Sequence, residues 1–296
     1  KQTWLSSING YGIQSDEDWY KIFVTPGYEN VLVDLRFTHS EGDIDIALCD
    51  STGIVLASST LTVDNEYINF TVPVSGEYYL KVYYGDHGNQ YDLLWDAVPP
   101  VPQSITATFR SVGAADGWIL ESTETSNKGG LFNVTAATFN LGDSTADKQY
   151  RAILSFNTAN LPDTAVITKV TLKIKVFGAL VGNNNPFTWG QGLQVDICKN
   201  SFGTIAVQLA DFNSNNTTNC RLLVGTFDST PVSGWYSVDL PNTAWDKINN
   251  IGSTQFRLRF YNDDNDDRVA DYWRFYSGNY ATASFRPTLI IEYYIP

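Results

Sequence analysis

Apolar and polar residues alternate with a period of two in short runs over most of the chain. The clearest run is residues 166–177, where Val170, Leu172, Ile174 and Val176 share one parity and Lys169, Thr171, Lys173 and Lys175 the other. Successive strand side chains point to opposite faces, so this run predicts an antiparallel strand with one dry and one wet face. Shorter runs at 20–24, 31–37, 43–48, 54–56, 66–70, 78–84 and 91–95 are separated by turn signals such as Pro26-Gly27 and Ser51-Thr52-Gly53. Strands at this spacing predict a small β-sandwich. A second series lies at 104–109, 150–156, 193–198, 234–240, 255–261, 272–276 and 287–294, and only 243–249, beside Trp245, reads as a helical turn.

Between the two series lies Ala97-Val98-Pro99-Pro100-Val101-Pro102-Gln103. Its prolines remove backbone donors and fix φ, and each biases the preceding residue toward extended geometry, so residues 97–103 read as a stiff polyproline II linker. The expected organisation is a block at 1–96, the linker, and a block at 104–296.

Composition narrows the partners. The chain has 296 residues, a net charge of −13 and only 17% charged residues, so amides and hydroxyls fill much of its surface. A surface this acidic repels nucleic acid and suits calcium and an extracellular life. No apolar run approaches the roughly 20 residues of a membrane helix, so membrane insertion is not expected. No signal peptide is recognised, and a chain that begins at Lys1 and contains no methionine reads as a processed or excised piece of something larger. Cys198 and Cys220 are close enough in sequence for a disulfide worth about 3 kcal/mol, whereas Cys49 has no partner in its block. Three buried thiols, or one disulfide and one thiol, both fit.

Two resemblances are carried by ordered motifs. Ser15-Asp16-Glu17-Asp18-Trp19-Tyr20-Lys21-Ile22-Phe23, Gly42-Asp43-Ile44-Asp45-Ile46-Ala47-Leu48 and Gly76-Glu77-Tyr78-Tyr79-Leu80-Lys81-Val82-Tyr83 resemble the bacterial pre-peptidase C-terminal domain. The resemblance implies a jelly-roll-like sandwich with an accessory role in secreted peptidases and other exported hydrolases, some relatives binding collagen and calcium. In the second block, Asp116-Gly117-Trp118-Ile119, Arg151-Ala152-Ile153-Leu154-Ser155-Phe156, Leu161-Pro162-Asp163, Gly234-Trp235-Tyr236-Ser237-Val238, Phe275-Tyr276-Ser277 and Arg286-Pro287-Thr288-Leu289-Ile290-Ile291 resemble the DNRLRE-type jelly-roll domain. That resemblance implies a carbohydrate-binding-like module attached to secreted hydrolases and surface proteins, although the Asn/Gly loop at 182–192 departs from its common form. Together these give an all-β expectation: two tandem antiparallel β-sandwich, jelly-roll-like domains joined by a Pro-rich linker.

Aromatic and acidic residues supply the candidate sites. In 78–84, Tyr78, Leu80, Val82 and Tyr84 read as core, leaving Tyr79, Lys81 and Tyr83 as a stripe that can anchor a polymer or simply pair across strands. Exposed Trp and Tyr stack on sugar rings. Trp189 in the Asn/Gly loop is the first such candidate, Tyr272 and Trp273 the second, while Trp118, Trp235 and Trp245 read as core. Asp43 and Asp45 are expected to share a strand face with Ile44 and Ile46 turned inward, and Asp16, Glu17 and Asp18 form a second acidic group. Asp263, Asp264, Asp266 and Asp267 crowd a third, just before Asp271. Hard oxygen ligands of this kind suit Ca²⁺, and a solvated acidic edge explains them equally. The third loop lacks the glycine and terminal glutamate of an EF-hand.

Catalysis finds no support. The two histidines, His39 and His87, have no metal-ligand spacing, and neither a Gly-x-Ser-x-Gly elbow nor a phosphate-cradling loop occurs. Paired carboxylates for glycoside hydrolysis would need convergence that spacing does not supply. Tripeptides at Asn69, Asn133, Asn215 and Asn216 match the glycosylation pattern, which an Asn/Thr-rich chain produces by chance. The expected function is a non-catalytic accessory region, part of a longer secreted bacterial protein with catalytic or surface domains, that binds an extracellular polysaccharide or fibrous protein through calcium-stabilised loops. The alternative is a structural subunit of a cell-surface layer or extracellular filament.

Overall fold

A computed structural model describes residues 3–85, 88–214 and 218–296. His87 and the Asn215-Asn216-Thr217 tripeptide lie outside the described residues. The chain divides into two compact units, Lys1–Pro102 and Gln103–Pro296, and is all-β with antiparallel sheets.

The first unit holds β1 (Gly12–Gln14), β2 (Asp18–Val24), β3 (Asn30–Arg36), β4 (Asp45–Cys49), β5 (Val55–Ser59), β6 (Glu66–Thr71), β7 (Gly76–Tyr83) and β8 (Asn89–Val98). One sheet runs β1-β8-β3-β6 and the other β2-β7-β4-β5. Each contributes alternate residues to a shared core: Val31, Val33 and Leu35 from one, Ile46, Leu48, Leu80 and Val82 from the other. Period-2 patterning is what makes this possible, because a strand half-buried on one side satisfies its backbone in the ladder and its apolar face in the core.

Three expectations change here. Ala97 and Val98 are not linker but the end of β8, paired with Val31 and Asn30; the ladder stops only at Pro99, which has no N–H to give. Tyr84 is not core: β7 ends at Tyr83, and Tyr84 takes a left-handed φ of 78° that turns its ring outward, 56% exposed. Asp43 and Asp45 do not share an exposed strand face, since β4 begins at Asp45, all five of its residues are buried, and Asp43 precedes it. Ile46 and Leu48 face the core, and the residues of opposite parity, Asp45, Ala47 and Cys49, are buried as well.

The second unit holds β9 (Ile105–Arg110), β10 (Gly117–Glu121), β11 (Gly129–Asn133), β12 (Thr138–Asp143), β13 (Gln149–Asn157) and β14 (Val166–Lys175). It continues with β15 (Leu193–Lys199), β16 (Cys220–Thr226), β17 (Trp235–Asp239), β18 (Ser253–Phe260), β19 (Tyr272–Tyr276) and β20 (Thr288–Tyr294). An eight-stranded sheet runs β11-β10-β13-β18-β15-β16 with β12 and β19 attached through β13, and a four-stranded sheet runs β17-β14-β20-β9. Val170, Leu172 and Ile174 of β14 meet Leu154, Phe156, Phe256 and Leu258 of the larger sheet in the main core. Strands β10 to β12 and β16 have no counterpart in the sequence reading. β11, Gly-Gly-Leu-Phe-Asn, is mostly exposed and shows no alternation to read. The helical turn expected at 243–249 is a 3₁₀ segment at Asn242–Lys247.

A second apolar cluster covers the outer face of the larger sheet, where Ile119 and Ile153 meet Phe202, Val207 and Phe212 from the connection between β15 and β16. Cys198 and Cys220 are bonded across β15 and β16, and Cys49 is a free, buried thiol. Among the described residues, no helix is long and apolar enough to cross a membrane.

Candidate binding surfaces

The acidic loop after β18 is organised by Asp271 rather than by the four aspartates before it. Asp271 is fully buried; its Oδ1 accepts the amides of Asn183 (2.7 Å) and Asn184 (2.9 Å), and its Oδ2 accepts Asn184 Nδ2 (3.2 Å) and Asn265 Nδ2 (3.4 Å). The Asn/Gly loop is thereby tied to the acidic loop. Gly182, at φ +93°, packs so close to Asp271 Oδ1 and the Ala270 carbonyl that no side chain fits. Asp267 joins the same web, its Oδ2 accepting Asn184 Nδ2 at 2.8 Å and Asn265 Nδ2 at 3.0 Å. Asp264 Oδ1 caps the amide of Asp266 at 3.1 Å, and Asp263 is half-buried beside them.

Two aspartates that the sequence reading missed complete this region. Asp143 ends β12 and is fully buried; its Oδ1 accepts the amide of Asp271 at 2.8 Å. Asp147, in the turn to β13, accepts the amide of Arg268 at 2.8 Å. Burial is the main cause that pushes the Asp143 carboxyl up to about 7; the Asp271 amide opposes this, and the charges of Asp271, Asp264 and Asp147 add to it. Asp264 is pushed up to about 6, first by burial and then by Asp263. The signal available in sequence was two acids within the turn Gly142-Asp143-Ser144-Thr145-Ala146-Asp147, but nothing in that spacing reveals what lies opposite. Among the described residues, no three His, Cys, Asp or Glu side chains stand as a ready metal-binding group.

The aromatic candidates separate by burial. Trp189 is half-buried with its ring 6.2 Å from Phe260, because the neighbouring Phe187 stacks on Tyr236 at 4.6 Å and draws the loop onto the sheet. Trp273 packs against the core and donates from Nε1 to Asn185 Oδ1 at 2.9 Å. Tyr272 is half-buried and continues a row of rings, 5.5 Å from Tyr150, which meets Trp118 edge-on at 5.3 Å. Trp118 and Trp245 pack on the core as expected, but Trp235 does not. Tyr236 and Val238 take the inward parity of β17, so Trp235 lies on the outer face between Lys173 and Lys175, whose Nζ atoms stand 5.5 and 5.2 Å from its ring centroid. With Thr108, Arg110, Thr288 and Ile290 it lines a shallow groove of about 350 Å³.

In the first unit the stripe on β7 has the expected parity: Tyr78, Leu80 and Val82 are buried, while Tyr79, Lys81 and Tyr83 are half-exposed. Trp19 of β2, 45% exposed, lies edge-on to Tyr79 at 6.4 Å. Lys81 Nζ stands 4.8 Å from the Tyr83 centroid and 5.4 Å from that of Trp19, and is held by Glu17 at 2.5 Å. The acids of this unit are spread out. Asp16 is exposed, Asp18 accepts Tyr91 Oη at 2.7 Å, and Asp43 meets His39 Nδ1 at 3.0 Å. Burial pushes Asp45 up to about 6, with Asp43 and Glu66 adding charge repulsion.

No family model matches the chain, and no curated protein is similar to it. Among solved structures, a presumptive secreted protein from Eubacterium rectale is 9% identical over 100% of this chain and 73% of its own, with a TM-score of 0.36. A triple jelly-roll protein of an archaeal virus is 9% identical over 90% of this chain and 58% of its own, with a TM-score of 0.22. Likenesses this slight decide nothing about function.

Proposed function

We propose that the chain is a non-catalytic accessory region of a secreted bacterial protein, with its loops held by calcium. It would keep catalytic or surface domains of a longer precursor against an extracellular polysaccharide or fibrous protein. The observation that carries this reading is the pairing of rings and cations on outward sheet faces: Trp19, Tyr79, Lys81 and Tyr83 in one unit, Trp235, Lys173 and Lys175 in the other. An aromatic face takes the apolar side of a sugar ring or a peptide, and the flanking ammonium groups take its oxygens. Each surface is shallow and would bind weakly, about −4 kcal/mol for a millimolar site, but two on one chain raise the effective concentration of the second. The resemblances to the pre-peptidase C-terminal and DNRLRE-type domains favour the same role.

The test is retention of the chain on a panel of insoluble polysaccharides and collagen, with and without EDTA. Retention on at least one polymer, reduced by Trp19→Ala and more strongly by the Trp19→Ala/Trp235→Ala pair, is expected. Passage through every matrix would remove the reading. Growth into large particles on calcium addition, seen by light scattering, would favour the structural-subunit alternative.

A further inference from the structure

Asp143 poses a specific problem. Its side chain is wholly shielded, yet Oδ2 has no hydrogen-bond partner in the protein, and Oδ1 has only the Asp271 amide. Asp271, equally buried, is satisfied by four donors, so burial alone does not impose the deficit. A second orphaned oxygen lies in the same region: Asn265 Oδ1 is buried without a partner, although its Nδ2 is engaged by Asp267 and Asp271. Asp264, Asp147 and Asp271 all act on Asp143 by charge; of the cations on the two segments, Lys148 is half-buried beside Asp147 and Arg268 is exposed. A buried water would satisfy one oxygen but leave the repulsion among these carboxylates in place.

We propose that Asp143 Oδ2, Asn265 Oδ1 and the carboxylate of Asp264 form the protein half of a Ca²⁺ site that clamps the β12–β13 turn to the acidic loop. Calcium takes six to eight oxygens and accepts amide and carbonyl oxygens and water beside carboxylates, so three acids are not required. Asp147, itself buried, holds the loop through the Arg268 amide. The bond set makes the site a brace: Asp143 reaches Asp271, Asp271 reaches the Asn/Gly loop, and that loop carries Trp189 and the Asn185 acceptor of Trp273. Asp263, Asp266 and Asp267, which sequence alone selects equally with Asp264, are not among its proposed ligands. The inference gives the calcium part of the proposed function a location and does not depend on polymer binding.

The test uses the full chain, stripped with EDTA and titrated with CaCl₂ by calorimetry, with thermal unfolding followed in parallel and no polymer present. Saturable binding with a Kd of about 10⁻³ M or tighter is expected, with a rise in the melting temperature. Asp143→Asn and Asp264→Asn should each weaken binding at least tenfold. In EDTA, Asp143→Asn should melt no lower than the unsubstituted chain, since it removes a buried charge; that readout separates lost binding from lost folding. Asp16→Asn should bind as the unsubstituted chain does. Absence of saturable binding, or unchanged binding in both Asp143→Asn and Asp264→Asn, would overturn the site. Polymer retention is scored separately, so its failure would leave the calcium result standing.

Discussion

Arg257 and Asp196 form an ion pair at 2.7 Å with side chains 1% and 0% exposed, at the centre of the larger sheet of the second unit. The same guanidinium donates to the carbonyls of Asp211 and Ser214, each at 2.9 Å, and lies 4.7 Å from the Phe202 ring centroid. Arg151 repeats the device, donating to the Phe212 carbonyl at 2.6 Å while its guanidinium lies over the Phe212 ring. Two arginines on neighbouring strands thus hold the long β15–β16 connection onto the outer sheet face. Burial lowers the affinity of both for their protons, Arg151 to about 9, with Arg257 adding repulsion.

Removing one member of such a pair leaves the other charge buried and unpaired, which costs about 3–5 kcal/mol. Asp196→Asn is therefore expected to lower the stability of the second unit by about that much in urea unfolding, with faster proteolysis in the β15–β16 connection. A loss under about 1 kcal/mol would show that the pair does not pin the connection.

The Cys198–Cys220 bond closes a 22-residue separation across two paired strands. Chain-entropy arguments give such a closure about 3 kcal/mol, so a reductant or Cys220→Ala should lower the unfolding midpoint accordingly. Alkylation in denaturant should modify one thiol, Cys49, without reductant and all three cysteines with it. Three modified thiols without reductant would contradict the pairing.

Gly182 and Gly10 have similar left-handed backbones, φ +93° and +89°, but a Cβ at Gly182 would strike Asp271 Oδ1 and the Ala270 carbonyl whereas one at Gly10 meets nothing. Both alanine substitutions incur the left-handed penalty of about 1–2 kcal/mol. Gly182→Ala should be the more damaging, and should shift the fluorescence of Trp189 and Trp273 while Gly10→Ala leaves it unchanged. Equal effects in both would show that the two loops are not packed as described.

Asp45 is a buried carboxyl raised from 3.8 to about 6. The folded first unit therefore binds this proton more tightly than the unfolded chain does. As far as this group is concerned, stability should be greatest below about pH 3.8, fall as pH rises from there to about 6, and level off above it. Asp45→Asn should remove that segment of the pH–stability curve and raise stability at pH 8; an unaltered curve would show that Asp45 is ionised at ordinary cost.

Sequence alone determined the properties that repeat locally. Parity put Tyr78, Leu80 and Val82 on the inner face of β7 and Tyr79, Lys81 and Tyr83 on the outer, and gave β14 its dry and wet faces. Period-2 alternation marks which side of a strand is apolar whatever its neighbours are. It failed where no alternation exists, as in β11, and where a strand is covered on both sides, as in β4, where Asp45 is buried with its neighbours.

Tertiary structure decided what meets what. β12 pairs with β19 although about 130 residues separate them, and only that register sets Asp143 against the amide of Asp271. That pairing also brings Asp264 within charge range of Asp143. The stacking of Phe187 on Tyr236 draws Trp189 onto the sheet, and the pairing of β17 with β14 leaves Trp235 outside between two lysines. Convergence is a property of strand order, and strand order is fixed by the summed burial of two sheets rather than by any stretch of residues that can be read on its own.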